Sequence, residues 1–324
     1  MSRSVLVTGG AGFIGSHLTE ALLAHGASVT VLDDLSTGSL ANLAVAQQQP
    51  GFRFVQGSVL DQPLVDELVA AHDTVFHLAA AVGVQLIMHR PLDSFLVNIQ
   101  GTHHVIEAAE RHGARVIVAS TSEVFGRNTN VPLHEASDRV LGPPSVTRWW
   151  YSLSKSVDEV LAFGYHHERG VHTTVVRFFN TVGPRQVGTY GMVIPRFVGQ
   201  AMRGEPITVY GDGHQSRTFC HVFDTVEALL GIYEQAPAPG QAFNIGGTDE
   251  ITIRALAEHV IAELGSTSQI VCVPFTEVFG GGFEDLARRV PNIEPIRAAI
   301  GWAPTRSLST IVHDVRAQLA GTVG

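Results

Sequence analysis

The stretch "VLVTGGAGFIGSHL", residues 5–18, decides the fold of this chain. A β-branched run leads directly into Gly9, Gly12 and Gly15, and an amphipathic helix pattern follows at once. Residues without a Cβ let the backbone approach a pyrophosphate, which the N-terminus of the following helix then faces. Asp33 ends the next strand pattern about 18 residues after Gly15, the spacing of a carboxylate that binds the adenosine ribose. We therefore predict a dinucleotide site. An acid without a neighbouring arginine favours NAD, with Asp34 serving instead of Asp33 or beside it.

Strand-like and helix-like segments alternate along the first half of the chain. Short β-branched runs occur at 4–9, 28–34, 52–58, 74–80, 115–120 and 172–180, separated by helix-sized intervals. This alternation predicts an α/β fold, a Rossmann-type doubly wound parallel sheet covered by helices on both faces. We expect a dinucleotide-binding domain at 1–178 and a smaller C-terminal α/β domain, mainly for substrate, at 179–324. Residues from about 218 to 248 are expected to return to the first domain.

The bulk composition narrows the class of partner. Apolar residues make up 45% of the 324 and charged residues 16%, as in a globular protein with a large core. A formal net charge of −9 disfavours nucleic acid or an anionic membrane, although local arginines can still bind an anionic small molecule. Two cysteines, Cys220 and Cys272, make no disulfide framework and indicate a reducing, cytoplasmic location. The sequence has no apolar run of membrane-spanning length and no His-Glu-x-x-His pattern, so neither a membrane span nor a metal is expected.

A tyrosine and a lysine stand at helical spacing in "RWWYSLSKSVDEV", residues 148–160. Tyr151 and Lys155 are at i and i+4, on one face of a helix. An ammonium beside a phenol stabilises the phenolate and lowers the pKa of the tyrosine, which can then exchange a proton with a sugar hydroxyl. An ordinary surface pair has the same spacing. The glycine loop and the polar strand end at Thr121, in "ASTSEVFG", favour the catalytic interpretation.

Several motifs in this order resemble one family. They are "TGGAGFIGSHL", "DDLSTG", "FHLAA", "NIQGT", "STSEVFG", "YSLSK", "RFFNTVGPRQ", "PITVYGDGHQSRTFCHV" and "FNIGG". Together they are similar to the extended short-chain dehydrogenase/reductase family, the NAD-dependent nucleotide-sugar epimerases, dehydratases and decarboxylases. The resemblance covers nearly the whole chain. It implies bound NAD, a UDP-sugar substrate, and a homodimer formed through the helices in 92–112 and 156–165.

The resemblance also implies residue roles. Tyr151 would be the acid/base and Lys155 its activator, Thr121 would hydrogen-bond the sugar 4-hydroxyl, and Ser122 and Glu123 would complete the catalytic set. The expected cofactor contacts, besides Tyr151 and Lys155, are Gly9, Gly12, Phe13, Ile14, Gly15, Asp33, Asp34, Ser36, Thr37, Gly38, Ser58 (where the family has an acid), Val59, Leu78, Ala79, Ala80 and Asn98. The expected substrate contacts, besides Ser122 and Tyr151, are Val84, Asn180, Arg185, Val193, Arg196, Thr208, Val209, Tyr210, and the phosphate ligands Arg217 and Arg289. The candidates for holding a sugar carboxylate are Ser122, Thr181, Arg185 and Arg196.

The family's shared first step is hydride transfer from sugar C4 to NAD, after which three outcomes are open: epimerisation, dehydration or loss of a C5 carboxylate. Ser122 stands where the dehydratases carry the Asp that protonates the leaving hydroxyl, which disfavours dehydration. "TSE" and "RRVPNI" resemble the UDP-glucuronate decarboxylases, whereas "YSLSK" and "AAAVGVQLIMHRP" are closer to epimerases.

The main hypothesis is a 4-epimerase that converts UDP-glucuronate to UDP-galacturonate. The alternative is a UDP-glucuronate decarboxylase, followed by a UDP-glucose 4-epimerase or a 4,6-dehydratase. A non-catalytic NAD-sensing regulator is disfavoured, because Tyr151 and Lys155 are both present. For Glu123 two roles stay open, a base or proton relay near C5 and the orientation of a water or the loop.

Overall fold

The strands form one large and three small sheets. The computed structural model describes residues 4–81, 91–186, 192–279 and 286–321. Its strands are β1 Ser4–Thr8, β2 Ser28–Asp33, β3 Phe52–Gln56, β4 Thr74–His77, β5 Arg115–Thr121, β6 Thr173–Phe179, β7 Thr181–Val182, β8 Ile207–Tyr210, β9 Ser216–Arg217, β10 Cys220–His221, β11 Gln241–Gly246, β12 Ile251–Thr252, β13 Ile270–Val273 and β14 Arg288–Arg289.

The large sheet has seven parallel strands in the order β3-β2-β1-β4-β5-β6-β11. This order reverses direction at β1 and β4, and in such sheets ligands bind beyond the carboxyl ends of the strands at that reversal. The predicted Rossmann-type parallel sheet is therefore confirmed. The proposed domain boundaries stay a prediction.

Helices cover both faces of the sheet. They are α1 Phe13–Ala24, α2 Gln62–Ala70, α3 Pro91–His112, α4 Trp150–Arg169, α5 Val193–Arg203, α6 Val222–Gln235, α7 Ile253–Leu264, α8 Phe275–Phe279, α9 Glu294–Ile300 and α10 Leu308–Gly321. One apolar cluster joins α1 and α6 to the sheet, and a second joins α2, α3 and α4 to its other face. A third cluster packs α5, α7 and α10 together.

The polar face of α4 positions much of the candidate site. Its buried residues include Lys155, Asp158 and Glu159, whereas a helix against a sheet normally buries an apolar stripe. Gly170 ends the helix in the left-handed conformation, at φ 70°, as glycine does after many helices. Within the described residues, no helix is both long and apolar enough to span a membrane. The predicted homodimer stays a prediction.

Candidate active site

A cleft of about 720 Å³ lies at the carboxyl ends of β1, β4, β5 and β6. Most of the predicted site residues line this cleft. They are Gly9, Gly12, Phe13, Ile14, Gly15, Asp33, Asp34, Ser36, Thr37, Val59, Leu78, Ala79, Ala80, Thr121, Ser122, Glu123, Tyr151, Lys155, Asn180, Thr181, Arg185, Val193, Arg196, Tyr210, Arg217 and Arg289.

Five predicted residues lie behind the walls of the cleft. Val209 is fully buried in the core. Its neighbour Thr208 accepts a hydrogen bond from Arg196 through its carbonyl oxygen, over 2.6 Å, and so holds a wall residue. Ser58 accepts the N–H of Leu60 in a local turn.

Gly38 and Asn98 support wall residues from behind. A Cβ on Gly38 would lie 2.9 Å from Oδ1 of Asp33. Asn98 is buried; its Oδ1 accepts the N–H of Ala81 over 2.8 Å, and its Nδ2 donates to Ser154 over 3.1 Å. The predicted roles of all five stay predictions, and Val84 lies outside the described residues.

The glycine loop, residues 9–15, is a backbone cradle. A Cβ on Gly15 would lie 2.3 Å from the carbonyl oxygen of Gly9, and a Cβ on Gly9, at φ 71°, would lie 2.7 Å from the nitrogen of Ala79. Gly12 precedes α1 and has no side chain to cover the first N–H groups of the helix. These features leave space and donors for a pyrophosphate, which fits a dinucleotide.

Asp33 fixes the shape of this cradle. Its carboxylate accepts the N–H of Ala11 over 2.9 Å and that of Leu35 over 2.8 Å. Burial raises the pKa of Asp33, and these two hydrogen bonds oppose the rise. Asp34 is exposed and accepts the N–H of Ser36 over 2.9 Å. Both acids line the cleft, so the choice between them for a ribose stays open.

Thr121 and Tyr151 meet at the centre of the cleft. The hydroxyl of Thr121 hydrogen-bonds the phenol of Tyr151. Burial raises the pKa of Tyr151, the carboxylates of Glu123 and Asp158 raise it further, and Thr121 lowers it. The pKa of Tyr151 is thus raised, and the prediction that Lys155 lowers it is wrong in direction. The Nζ atom of Lys155 lies 2.6 Å from Oδ2 of Asp158, whose negative charge opposes that of the ammonium.

Two arginines hold Glu123 between them. Its Oε1 lies 2.6 Å from Nη1 of Arg289, and its Oε2 lies 2.6 Å from Nη2 of Arg148. Side-chain exposure of the three is only 11–13%. We call Arg148, Glu123 and Arg289 the arginine clamp.

The clamp keeps Glu123 ionised. Burial would raise the pKa of Glu123, but the charges of Arg148, Arg289 and Arg217 outweigh it and lower the value to about 2. Arg289, expected to bind phosphate, is therefore already engaged by a carboxylate. Charge-assisted pairs of this length are among the stronger interactions of a protein interior.

Sequence reasoning missed Arg148 and Asp158. Arg148 lies in a short 3-10 turn, Thr147–Trp149, three residues before Tyr151. That helical spacing was a usable signal, because residues three apart share a face. The pairing of Arg148 with Glu123 carried no signal, since the two belong to different motifs.

Asn180 and Arg185 form a strained part of the wall. Both have positive φ, 39° and 70°, which L-residues other than glycine seldom adopt. Asn180 donates its side-chain N–H to the carbonyl of Thr218 over 2.8 Å, and Arg185 pairs with Glu20 over 2.7 Å. Such strain persists where the surroundings impose it, and it clusters at functional sites.

The fold and this site define an NAD-dependent enzyme of the Rossmann class. The sequence model of the NAD dependent epimerase/dehydratase family matches residues 5–246. The chain belongs to this family, and its cofactor is NAD.

Relatives of this chain include decarboxylases and epimerases. UDP-N-acetyl-alpha-D-glucosaminuronate decarboxylase of Bacillus cytotoxicus is 39% identical over 95% of this chain and 94% of its own. UDP-glucuronic acid decarboxylase 4 of Arabidopsis thaliana is 35% identical over 98% of this chain and 69% of its own. The solved structure of a Thermotoga maritima UDP-glucose 4-epimerase with UDP-glucose has a TM-score of 0.88 and 28% identity, covering 99% of this chain and 100% of that one.

Proposed function

We propose that this protein is an NAD-dependent UDP-uronate decarboxylase, acting on UDP-glucuronate or on its 2-acetamido counterpart. The observation that carries the proposal is the arginine clamp beside Thr121 and Tyr151. Two guanidinium groups share one carboxylate there, and the charge of Arg217 also acts on Glu123. The resulting excess of positive charge suits a sugar that carries a carboxylate at C5.

The residues of the cleft can perform the first proton transfer. Tyr151 removes the proton of the C4 hydroxyl while Thr121 hydrogen-bonds the same oxygen. Bound NAD would supply the hydride acceptor for C4 and, at the end of the cycle, the source of the returned hydride. The glycine loop and Asp33 would hold NAD, and the clamp would hold the carboxylate of the sugar.

The 4-keto sugar so formed is a β-keto acid, and decarboxylation follows from that chemistry. The bond from C5 to the carboxylate breaks, its electron pair moves into the C4 carbonyl oxygen, and CO2 leaves. C5 takes up a proton from water, which restores the C4 ketone. The hydride then returns to C4 as Tyr151 returns its proton to the oxygen. The product is a UDP-pentose sugar.

The state of Glu123 argues against dehydration. A dehydratase must protonate the leaving C6 hydroxyl, yet Ser122 is a poor acid and Glu123, with a pKa of about 2, carries no proton to give. Both carboxylate oxygens of Glu123 are engaged by arginines. We therefore propose that Glu123 orients Arg148 and Arg289, which is closer to the second of the roles left open by the sequence.

We base the choice between epimerisation and decarboxylation on the named activities of the relatives. Two of them, similar over at least 95% of this chain, bear the names of uronate decarboxylases. This supports the alternative hypothesis of the sequence better than its main one, the UDP-glucuronate 4-epimerase. A homodimer and a cytoplasmic location remain part of the proposal.

Product analysis tests the proposal. The purified protein is incubated with UDP-glucuronate, UDP-N-acetylglucosaminuronate and UDP-glucose, and products are identified by NMR with CO2 trapping. We expect a UDP-pentose and CO2 from at least one uronate. UDP-galacturonate without CO2 would restore the epimerase hypothesis. Turnover of UDP-glucose alone would contradict a uronate substrate, and conversion of any of the three sugars would exclude the non-catalytic regulator.

A further inference from the structure

A buried polar chain ends at Lys155 of the acid/base pair. We define this chain as Thr8, His77, Thr102, Asp158 and Lys155. We propose that Asp158 is a positioning residue, which holds the Lys155 ammonium and, through its negative charge, sets the pH at which Tyr151 can act as a base. This inference rests on one part of the proposed function, the proton transfer by Tyr151.

The ion pair at the end of the chain is short and shielded from solvent. Lys155 and Asp158 are three residues apart on α4, with their charged atoms 2.6 Å apart. Their side-chain exposures are 3% and 0%. Opposite charges interact far more strongly in such surroundings than in water, so the ammonium is bound to this carboxylate at close range.

The rest of the chain reaches the glycine loop. Burial raises the pKa of Asp158, whereas the charge and hydrogen bond of Lys155 and a hydrogen bond from Thr102 oppose the rise. The Thr102 hydroxyl also lies 3.0 Å from Nε2 of His77. Nδ1 of His77 lies 2.8 Å from the hydroxyl of Thr8, which also accepts the N–H of Ala79 over 3.3 Å. The chain therefore joins the strand end beside the nucleotide cradle to the lysine of the acid/base pair.

His77 adds no charge to this chain at working pH. Burial lowers the pKa of His77 to about 3, and the charge of Lys155 lowers it further. Neutral His77 thus acts as a spacer between two hydroxyls.

The main charges that act on Asp158 and Tyr151 can be named for the described part of the chain. On Asp158 they are Lys155 and Glu159, both on α4. Glu159 is itself paired with Arg177 and Arg139. Besides Asp158, Tyr151 is influenced by Glu123 and Arg148. Because Asp158 balances the adjacent ammonium and also disfavours the phenolate directly, its charge is the one whose removal most simply frees Lys155 to act on Tyr151.

The test is Asp158→Asn in the NAD-bound enzyme, with kcat measured against pH. Asparagine keeps the shape and an acceptor for Lys155 but not the charge. We expect the acid limb of kcat to move down by about one pH unit, the size of effect that a charge at this distance gives, while KM for the UDP-sugar changes less than about twofold. Asp158→Glu retains the charge, so it should keep the wild-type limb even with a lower kcat.

Each outcome bears on the inference. If Asp158→Asn does not fold, Asp158→Ala is measured in the same way. A second measurement does not depend on turnover. The ultraviolet titration of the NAD-bound enzyme is recorded, and that of Tyr151→Phe is subtracted to give the titration of Tyr151. An unchanged limb and an unchanged titration would overturn the role of Asp158, whichever product is formed. A product other than a UDP-pentose would overturn the proposed function and leave this inference standing.

Discussion

The two walls of the cleft are built by different means. The nucleotide wall is a contiguous backbone turn, whose shape depends on glycines that have no space for a Cβ. The opposite wall is the arginine clamp, in which Glu123 and Arg289 meet across 166 residues of sequence. In our proposal the first would bind its ligand by shape and backbone N–H groups, and the second by charge. Substitutions should therefore separate loss of NAD from loss of sugar chemistry.

Tyr151 lies where the walls meet, and its loss should give the largest effect. Tyr151→Phe removes the proton acceptor but keeps the ring, so turnover of the UDP-uronate should fall about 10³-fold or more. NAD content, read by absorbance after denaturation, should stay at the wild-type level. Turnover within tenfold of wild type would show that another group carries the proton.

The clamp should give the next largest effect. Arg289→Gln breaks a buried ion pair and removes a partner of the sugar carboxylate, so kcat/KM for the UDP-uronate should fall about 10²-fold with NAD retained. Arg288→Gln is the matched control on the same strand, because Arg288 is half exposed and pairs with Glu250 at the surface. Equal effects of the two variants would remove the clamp from substrate recognition.

On the nucleotide wall, Gly15→Ala should weaken NAD retention by at least about tenfold. The added Cβ would lie 2.3 Å from a backbone oxygen, so the loop must move. Gly164→Ala, on α4 with nothing within 4 Å of the added Cβ, is the control. It should keep NAD and gain about 0.5–1 kcal/mol in unfolding free energy, as alanine does in a helix. Full NAD retention in Gly15→Ala, measured after gel filtration, would contradict the cradle.

The same contrast explains what the sequence could predict. The glycine loop, Thr121 and Tyr151 lie in short contiguous motifs whose spacing encodes local geometry, and the structure brings them to one cleft. The clamp was out of reach because an ion pair between Glu123 and Arg289 depends on tertiary packing.

Asp158 was also out of reach of the sequence. Adjacent acids in "SKSVDEV" are typical of a solvated helix face, whereas α4 turns this side inward against α3 and β4. Its partner Thr102 and the next member of the chain, His77, come from those two elements, so only the packing of the domain reveals the chain.

His17 joins α1, beside the nucleotide wall, to the segment that follows β7, and its effect should be the smallest. On α1, its Nε2 donates to the carbonyl of Pro184 over 2.9 Å, beside Arg185. Burial, opposed by the hydrogen bond to Pro184 and assisted by nearby positive charge, lowers the pKa of His17 from 6.5 to about 4. The unfolded chain therefore binds this proton first as pH falls from 6.5, so the stability that neutral His17 gives above that pH is lost toward pH 4.

His17→Gln keeps a donor for Pro184 without titrating, so its loss of Tm between pH 7 and pH 5 should be about 3 °C smaller than in the wild type. His25→Gln, just beyond α1 and half exposed, should show the wild-type loss. If His17→Gln also shows the wild-type loss of Tm, His17 does not contribute to the acid sensitivity of unfolding.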